Sequence, residues 1–170
     1  MNIFILDESP YTAAELQCDK HVVKMILETA QMLCTSHRLL DGDDTVDPVM
    51  YRATHKNHPC SIWARESSAN YAWLYEHFIA LCDEYTYRYG KTHLTDSKLR
   101  EVLQYYPTNI KHTSERTPFA LAMKTMAPEC INESDPVGSY RAYYRSKKSK
   151  FDMKWTNRPT PDWFTIKEED

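Results

Sequence analysis

Glycine is scarce: the 170-residue chain holds three. That excludes a Rossmann domain, a P-loop enzyme and a many-turned β-sandwich, all of which depend on positive-φ positions. No stretch approaches the ~20 consecutive apolar residues of a membrane span, so no membrane partner is expected. The opening Met1-Asn2-Ile3-Phe4-Ile5-Leu6-Asp7 has a short apolar run and no basic flank, unlike a secretory signal. The five cysteines (18, 34, 60, 82 and 130) are odd in number and form no CxxC pair. Cys34 and Cys82 sit in apolar helical patterns, so the thiols read as reduced and the chain as cytoplasmic. A strongly basic balance is missing too: the formal net charge is −3, unlike a uniformly basic nucleic-acid clamp.

What is present is apolar and aromatic. Twelve tyrosines, four tryptophans and 42% hydrophobic residues exclude wholesale disorder, and the length fits one domain with a substantial core. The patterning predicts an all-α fold, a compact single-domain helical bundle over 1–170. The capping box Thr12-Ala13-Ala14-Glu15 predicts a helix to about Leu40, stopped by Asp41-Gly42-Asp43-Asp44. Pro59 opens a second helical stretch, interrupted near Ser67-Ser68 and ending at Tyr89 with Gly90 beyond it. Shorter helices are expected over 96–106, near 118–125 after Thr117-Pro118, and over 136–150 after Asp135-Pro136. Residues 2–6 form a candidate N-terminal strand, and the Pro-rich tail 155–170 reads as extended chain.

The first long helix carries the most informative pattern. Val22, Val23, Met25, Ile26, Leu27, Ala30, Met32 and Leu33 surround it with apolar groups. Through them run His21, Lys24, Glu28 and Gln31, at i, i+3, i+7 and i+10, which puts all four on one face. A solvated helix edge accounts for charge at such spacing. A narrow strip on a helix suited to burial instead suits acid–base or amine-nucleophile chemistry, because a His, a Lys and a carboxylate shift one another's pKa values.

The second helical stretch carries Trp63, Glu66, Asn70, Trp73 and His77 in line. Tryptophan at this spacing is commonly core. Presented to a ligand, Asn57, His58, Trp63 and Asn70, together with Gln31, would instead line a substrate pocket or stack a base. His55, His58 and Cys60 have no second Cys/His pair to match them, so neither metal nor cofactor is expected.

Residues 139–158 depart from the chain average, with a charge of +6 that leaves −9 over the remaining 150. Arg141, Arg145, Lys147, Lys148 and Lys154 alternate with Tyr144 and other aromatics, a composition suited to phosphate contacts. Aromatics in a core with lysines on its wet face would give the same pattern.

Three segments together carry a resemblance. Asp19-Lys20-His21 with Glu28, His58-Pro59-Cys60-Ser61-Ile62-Trp63, and Tyr140-Arg141-Ala142-Tyr143-Tyr144-Arg145 are similar to segments of the small phage pyrimidine-dimer DNA glycosylases of endonuclease V type, and of related uncharacterised phage proteins. The resemblance implies a helical fold, phage origin (host cytoplasm) and action on a DNA base. It implies an amine that attacks the sugar C1′ to form a Schiff base, with Glu28 as acid/base. In that family the amine belongs to a small residue exposed by Met removal. Here Asn2 follows Met1, and Lys24, one turn from Glu28, stands as the substitute, with His21 positioning or protonating. Two other functions are open to the sequence: nucleotide binding or base modification without lyase chemistry, and docking of a partner by the first helix. The oligomeric state is not legible.

Overall fold

The computed structural model describes residues 1–165. Seven helices occur among them: α1 Pro10–Glu15, α2 Asp19–Asp41, α3 Pro59–Glu66, α4 Ser68–Tyr89, α5 Leu94–Leu99, α6 Pro136–Ser146 and α7 Asp162–Thr165. The fold is all-α. The long α2 and α4 pack together, α1 and α3 lie against α4, and α3 and α5 flank α2. The core between them is aliphatic and aromatic, with Ile26, Met32, Leu33, Tyr71, Leu74, Phe78, Tyr140 and Tyr144 all fully buried. No helix among the described residues is long and apolar enough to cross a membrane.

Local chemistry sets several boundaries where expected. Pro59 starts α3, and Ser67, the single residue between α3 and α4, accepts from the Asn70 N–H through its side chain to start α4. Gly90 follows α4 at φ +68, the left-handed conformation that a glycine takes without strain. Asp135 caps α6 by accepting from the Gly138 N–H.

Elsewhere distant side chains override local signals. Ser9, not Thr12, caps the first helix, with Pro10 at its first position. That helix ends at Glu15 because Arg88, wholly buried on α4, takes the Glu15 and Gln17 carbonyls that a continuing helix would use. Residues 2–6 form no strand. The Asn2 Oδ1 accepts from both the Ile3 and Phe4 N–H groups, Phe4 sits at φ +56, and the Gln17 amide donates to their carbonyls. The groups that would pair a β-ladder are thus engaged by side chains.

The helix expected near 118–125 is also absent. The Thr117 N–H donates to Asn70 Oδ1 and its hydroxyl to Glu66, so Thr117 faces α3 and α4 rather than capping a helix. Residues 118–121 have no regular structure and 122–126 form a turn, with Phe119, Leu121 and Met123 buried and the Tyr140 hydroxyl holding Ala120 O and Ala122 N. The helix expected over 96–106 stops at Leu99. The Tyr75 and Tyr71 hydroxyls take the Arg100 and Leu103 carbonyls, leaving only a 3₁₀ turn at Val102–Gln104. Within the tail, Trp155 is buried and α7 replaces part of the extended chain; residues 166–170 lie outside the described residues.

Candidate active site and basic face

The strip on α2 exists as geometry, and its members differ sharply in environment. His21 is buried and stacks on Phe4 with ring centroids 4.1 Å apart. Its Nδ1 lies 2.7 Å from the Tyr144 hydroxyl. Burial, reinforced by the charges of Lys147, Lys24 and Lys20, lowers its pKa to about 3, so the ring is neutral at physiological pH. Lys24 is exposed; Glu28 and Gln31 are half-buried one and two turns further on. The Glu28 Oε2 is buried and has no hydrogen-bond partner among the described residues. An unpartnered buried carboxylate oxygen is costly, and functional sites are where such groups persist.

Glu28 shares its surroundings with the chain's first residue. The Cys60 thiol, at the start of α3, is buried and pushed up to about 12 by that burial. Both the amino group at Met1 and the Glu28 carboxylate act on it electrostatically, the first lowering and the second raising its pKa. His58 caps α3 by accepting from the Cys60 N–H at Nδ1, 3.1 Å away, and makes a backbone hydrogen bond with Met1. Burial, then the Met1 amino group and His55, lower the His58 pKa. The Ser61 hydroxyl meets the Met1 Sδ at 3.9 Å. The start of α3 thus lies within electrostatic reach of both the Glu28 carboxylate and the Met1 amine, with the half-buried His58 at its cap. Lys24, one turn from Glu28, offers a second amine.

The basic face adjoins this centre. Lys147 lies over the Tyr143 ring at 4.6 Å and Lys20 over the Phe151 ring at 4.6 Å. Burial and the charges of Lys150, Lys24 and Lys20 lower the Lys147 pKa. None of these four lysines has an ion-pair partner among the described residues. Cations left unpaired and crowded on one face set up a positive potential there. The 3₁₀ turn Lys147–Ser149 after α6 brings the C-terminal lysines to those of α2.

Other residues singled out from the sequence lie apart from this grouping. Tyr144 is fully buried, its hydroxyl accepting from the Cys18 N–H, so it supports His21 from within. Arg141 donates to Leu6 O and pairs with Asp7, and Arg145 donates to Trp163 O. Lys148 lies over the Phe164 ring and Lys154 pairs with Asp152 at the surface. Trp63 and Asn70 are buried; Asn70 bonds Trp63 O, the Thr117 hydroxyl and the Thr117 N–H. One edge of Trp63 lines a groove of about 480 Å³ beside Pro59, Ile62 and Pro118. Asn57 is exposed in the connector before α3.

Sequence spacing does not single out Met1, Cys60, Lys20 or Lys150 as members of a site. A partial signal for Lys20 is its i, i+4 relation to Lys24; Met1 and Cys60 meet only through the tertiary fold.

Comparison with curated proteins and with solved structures gives no match. The family model for pyrimidine dimer DNA glycosylase matches residues 1–97, which carry Met1, Glu28, His58 and Cys60 and comprise more than half of the chain. The chain belongs to that family, which gives it a DNA glycosylase-like function with DNA as substrate.

Proposed function

We propose that the chain cleaves the glycosidic bond of a damaged pyrimidine in DNA, with Glu28 as its acid/base and an amine as nucleophile. The observation that carries this reading is Glu28 itself, a carboxylate with one buried, unpartnered oxygen, one helical turn from Lys24 and acting, like the Met1 amino group, on the buried Cys60. The amine attacks C1′ as the bond from C1′ to the base breaks. The departing base keeps the bonding pair and takes a proton; the amine then loses its protons as the C1′–O4′ bond breaks, and O4′ takes a proton as the sugar ring opens to the Schiff base. A carboxylate at this point delivers or accepts those protons and stabilises the positive charge that develops on the sugar. Neutral His21 fixes the α2 face by stacking, while Lys20, Lys24, Lys147 and Lys150 hold phosphates. His58 orients the Met1 end. Trp63 and Asn70 shape the fold beneath the site, and Gln31 and Asn57 lie at its margins.

Borohydride trapping on duplex DNA carrying an abasic site or a pyrimidine dimer tests the reading. A covalent adduct is expected with the wild type, reduced at least about 100-fold by Glu28→Gln. Peptide mapping of the adduct separates Met1 from Lys24, and a short extension placed before Met1 abolishes trapping if the Met1 amine reacts. No adduct, together with no effect of Glu28→Gln on base release, would overturn the proposal.

A further inference from the structure

A second cationic group lies on the α3 side of the centre, away from the lysines of α2 and α6. Arg65, in the last turn of α3, donates from Nη2 to Lys56 O at 2.7 Å, tying the helix to the connector before it. Its Nη1 is buried and has no acceptor among the described residues. No carboxylate pairs with Arg65, Lys56 or Arg52 among those residues. Burial is the sole influence on the Arg65 pKa, which it lowers. A guanidinium nitrogen withdrawn from water without an anion is unfavourable, and guanidinium geometry matches phosphate oxygens.

Position gives this group its meaning. His58, Ser61 and Arg65 follow one another at i, i+3 and i+7 along α3, one face of the helix. His58 and Ser61 are the residues of that face that touch Met1. Lys56 and His55 are exposed in the adjoining connector, and His55 is held at φ +46 with its Nδ1 2.9 Å from the Thr54 hydroxyl. Thr54, next to His55, bonds Thr35 two turns beyond Glu28 on α2, whereas Lys20 and Lys24 precede it, so cations stand on two sides of Glu28. A strand whose sugar reacts at Glu28 carries one phosphate on each side of that sugar, and the four lysines supply only one support.

We infer that Arg65, Lys56 and His55 form an anion site that takes a backbone phosphate of the DNA strand on the α3 side of Glu28. The inference rests on the glycosylase reading for its ligand. The site contributes grip and register on the strand, and no chemistry.

Fluorescence anisotropy with a short duplex carrying a tetrahydrofuran abasic analogue, titrated against KCl, tests it. Lys56 is exposed, so Lys56→Ala reads binding without disturbing the core. Lys56→Ala and Arg65→Gln are each expected to weaken binding several-fold and to reduce the slope of log K against log salt by about 0.9 per phosphate no longer neutralised. Wild-type affinity and slope in both variants would overturn the anion site while leaving the glycosylase reading intact. A wild type that binds no duplex would overturn both. Protection against melting by inorganic phosphate, with duplex binding unchanged in the variants, would overturn the assignment to a DNA strand.

Discussion

The Nδ1 of His21 and the hydroxyl of Tyr144 stand 2.7 Å apart inside the protein, and the Cys18 N–H fills an acceptor position of that same hydroxyl. The phenol proton goes to the imidazole nitrogen, a better acceptor than the Cys18 sulfur 3.5 Å away, and the ring keeps its own proton at Nε2. His21 therefore cannot act as a cationic phosphate anchor near neutral pH. It is a neutral plate between Phe4 and the lysines, and it titrates only at a cost to the fold.

Stability should therefore fall on mild acidification. His21 is lowered to about 3 and His77, buried on α4, to about 4, both by burial. An unfolded chain protonates these rings below about pH 6.5 while the folded chain keeps them neutral. Their contribution is complete above that pH and is lost as pH falls towards the folded values, at up to about 1.4 kcal/mol per pH unit for each ring. Urea unfolding at about pH 7 and about pH 5 should show the loss, and His21→Phe should diminish it. Equal losses in wild type and variant would refute a buried neutral His21.

Asn70→Ala should destabilise the fold by about 2–3 kcal/mol, because it strips partners from Thr117 N and Trp63 O at a buried position. The melting temperature should drop by about 5–10 °C. Duplex affinity measured well below that temperature should match the wild type. A selective loss of affinity with normal melting would make Asn70 a ligand contact.

Arg88→Met should be the more damaging change. Arg88 bonds Glu84, Asp19 and the carbonyls of Glu15 and Gln17 from a wholly buried position. Removing one partner of such a network costs about 3–5 kcal/mol, since the others stay buried and unpaired. Chemical denaturation followed by circular dichroism measures it; a loss below about 1 kcal/mol would contradict the network as described.

On the basic face, Lys20→Ala combined with Lys147→Ala should weaken duplex binding and lower its salt slope by about 0.9 for each phosphate left without its lysine. Melting should hold, because neither lysine has an ion-pair partner among the described residues. Arg141→Ala should instead lower stability, because its guanidinium holds Leu6 O and Asp7. The reverse pattern would move the phosphate face onto α6.

How much of this the sequence makes legible depends on where each feature gets its partners. Pro59, Ser67 and Gly90 act on their own helix ends, so the limits of α3 and α4 are readable locally. The alignment of His21, Lys24, Glu28 and Gln31 follows from helical period alone. The burial of His21 does not, because Phe4, Tyr144 and Phe151 come from both ends of the chain. Thr117-Pro118 carries a sound helix-start signal that Asn70 and Glu66 override. Residues 2–6 read as a strand by composition, but the Asn2 side chain and Gln17 consume the backbone groups on which pairing depends. The approach of Met1 and of Glu28 to Cys60 requires α3 to lie against α2, a relation that no spacing encodes.

The first six residues have no regular structure, yet they join the two halves of the molecule. Gln17 grips Ile3 and Phe4 from within the family-matched portion, and Arg141 grips Leu6 from α6, well beyond it. Phe4 and His21 are covered by Tyr143, Tyr144 and Phe151. A fragment ending at residue 97 would lose the aromatic cover over Phe4 and His21 and the hold of Arg141 on Leu6. The portion of the chain that carries the family signature thus shares its core with the described residues beyond it, which serve as its scaffold.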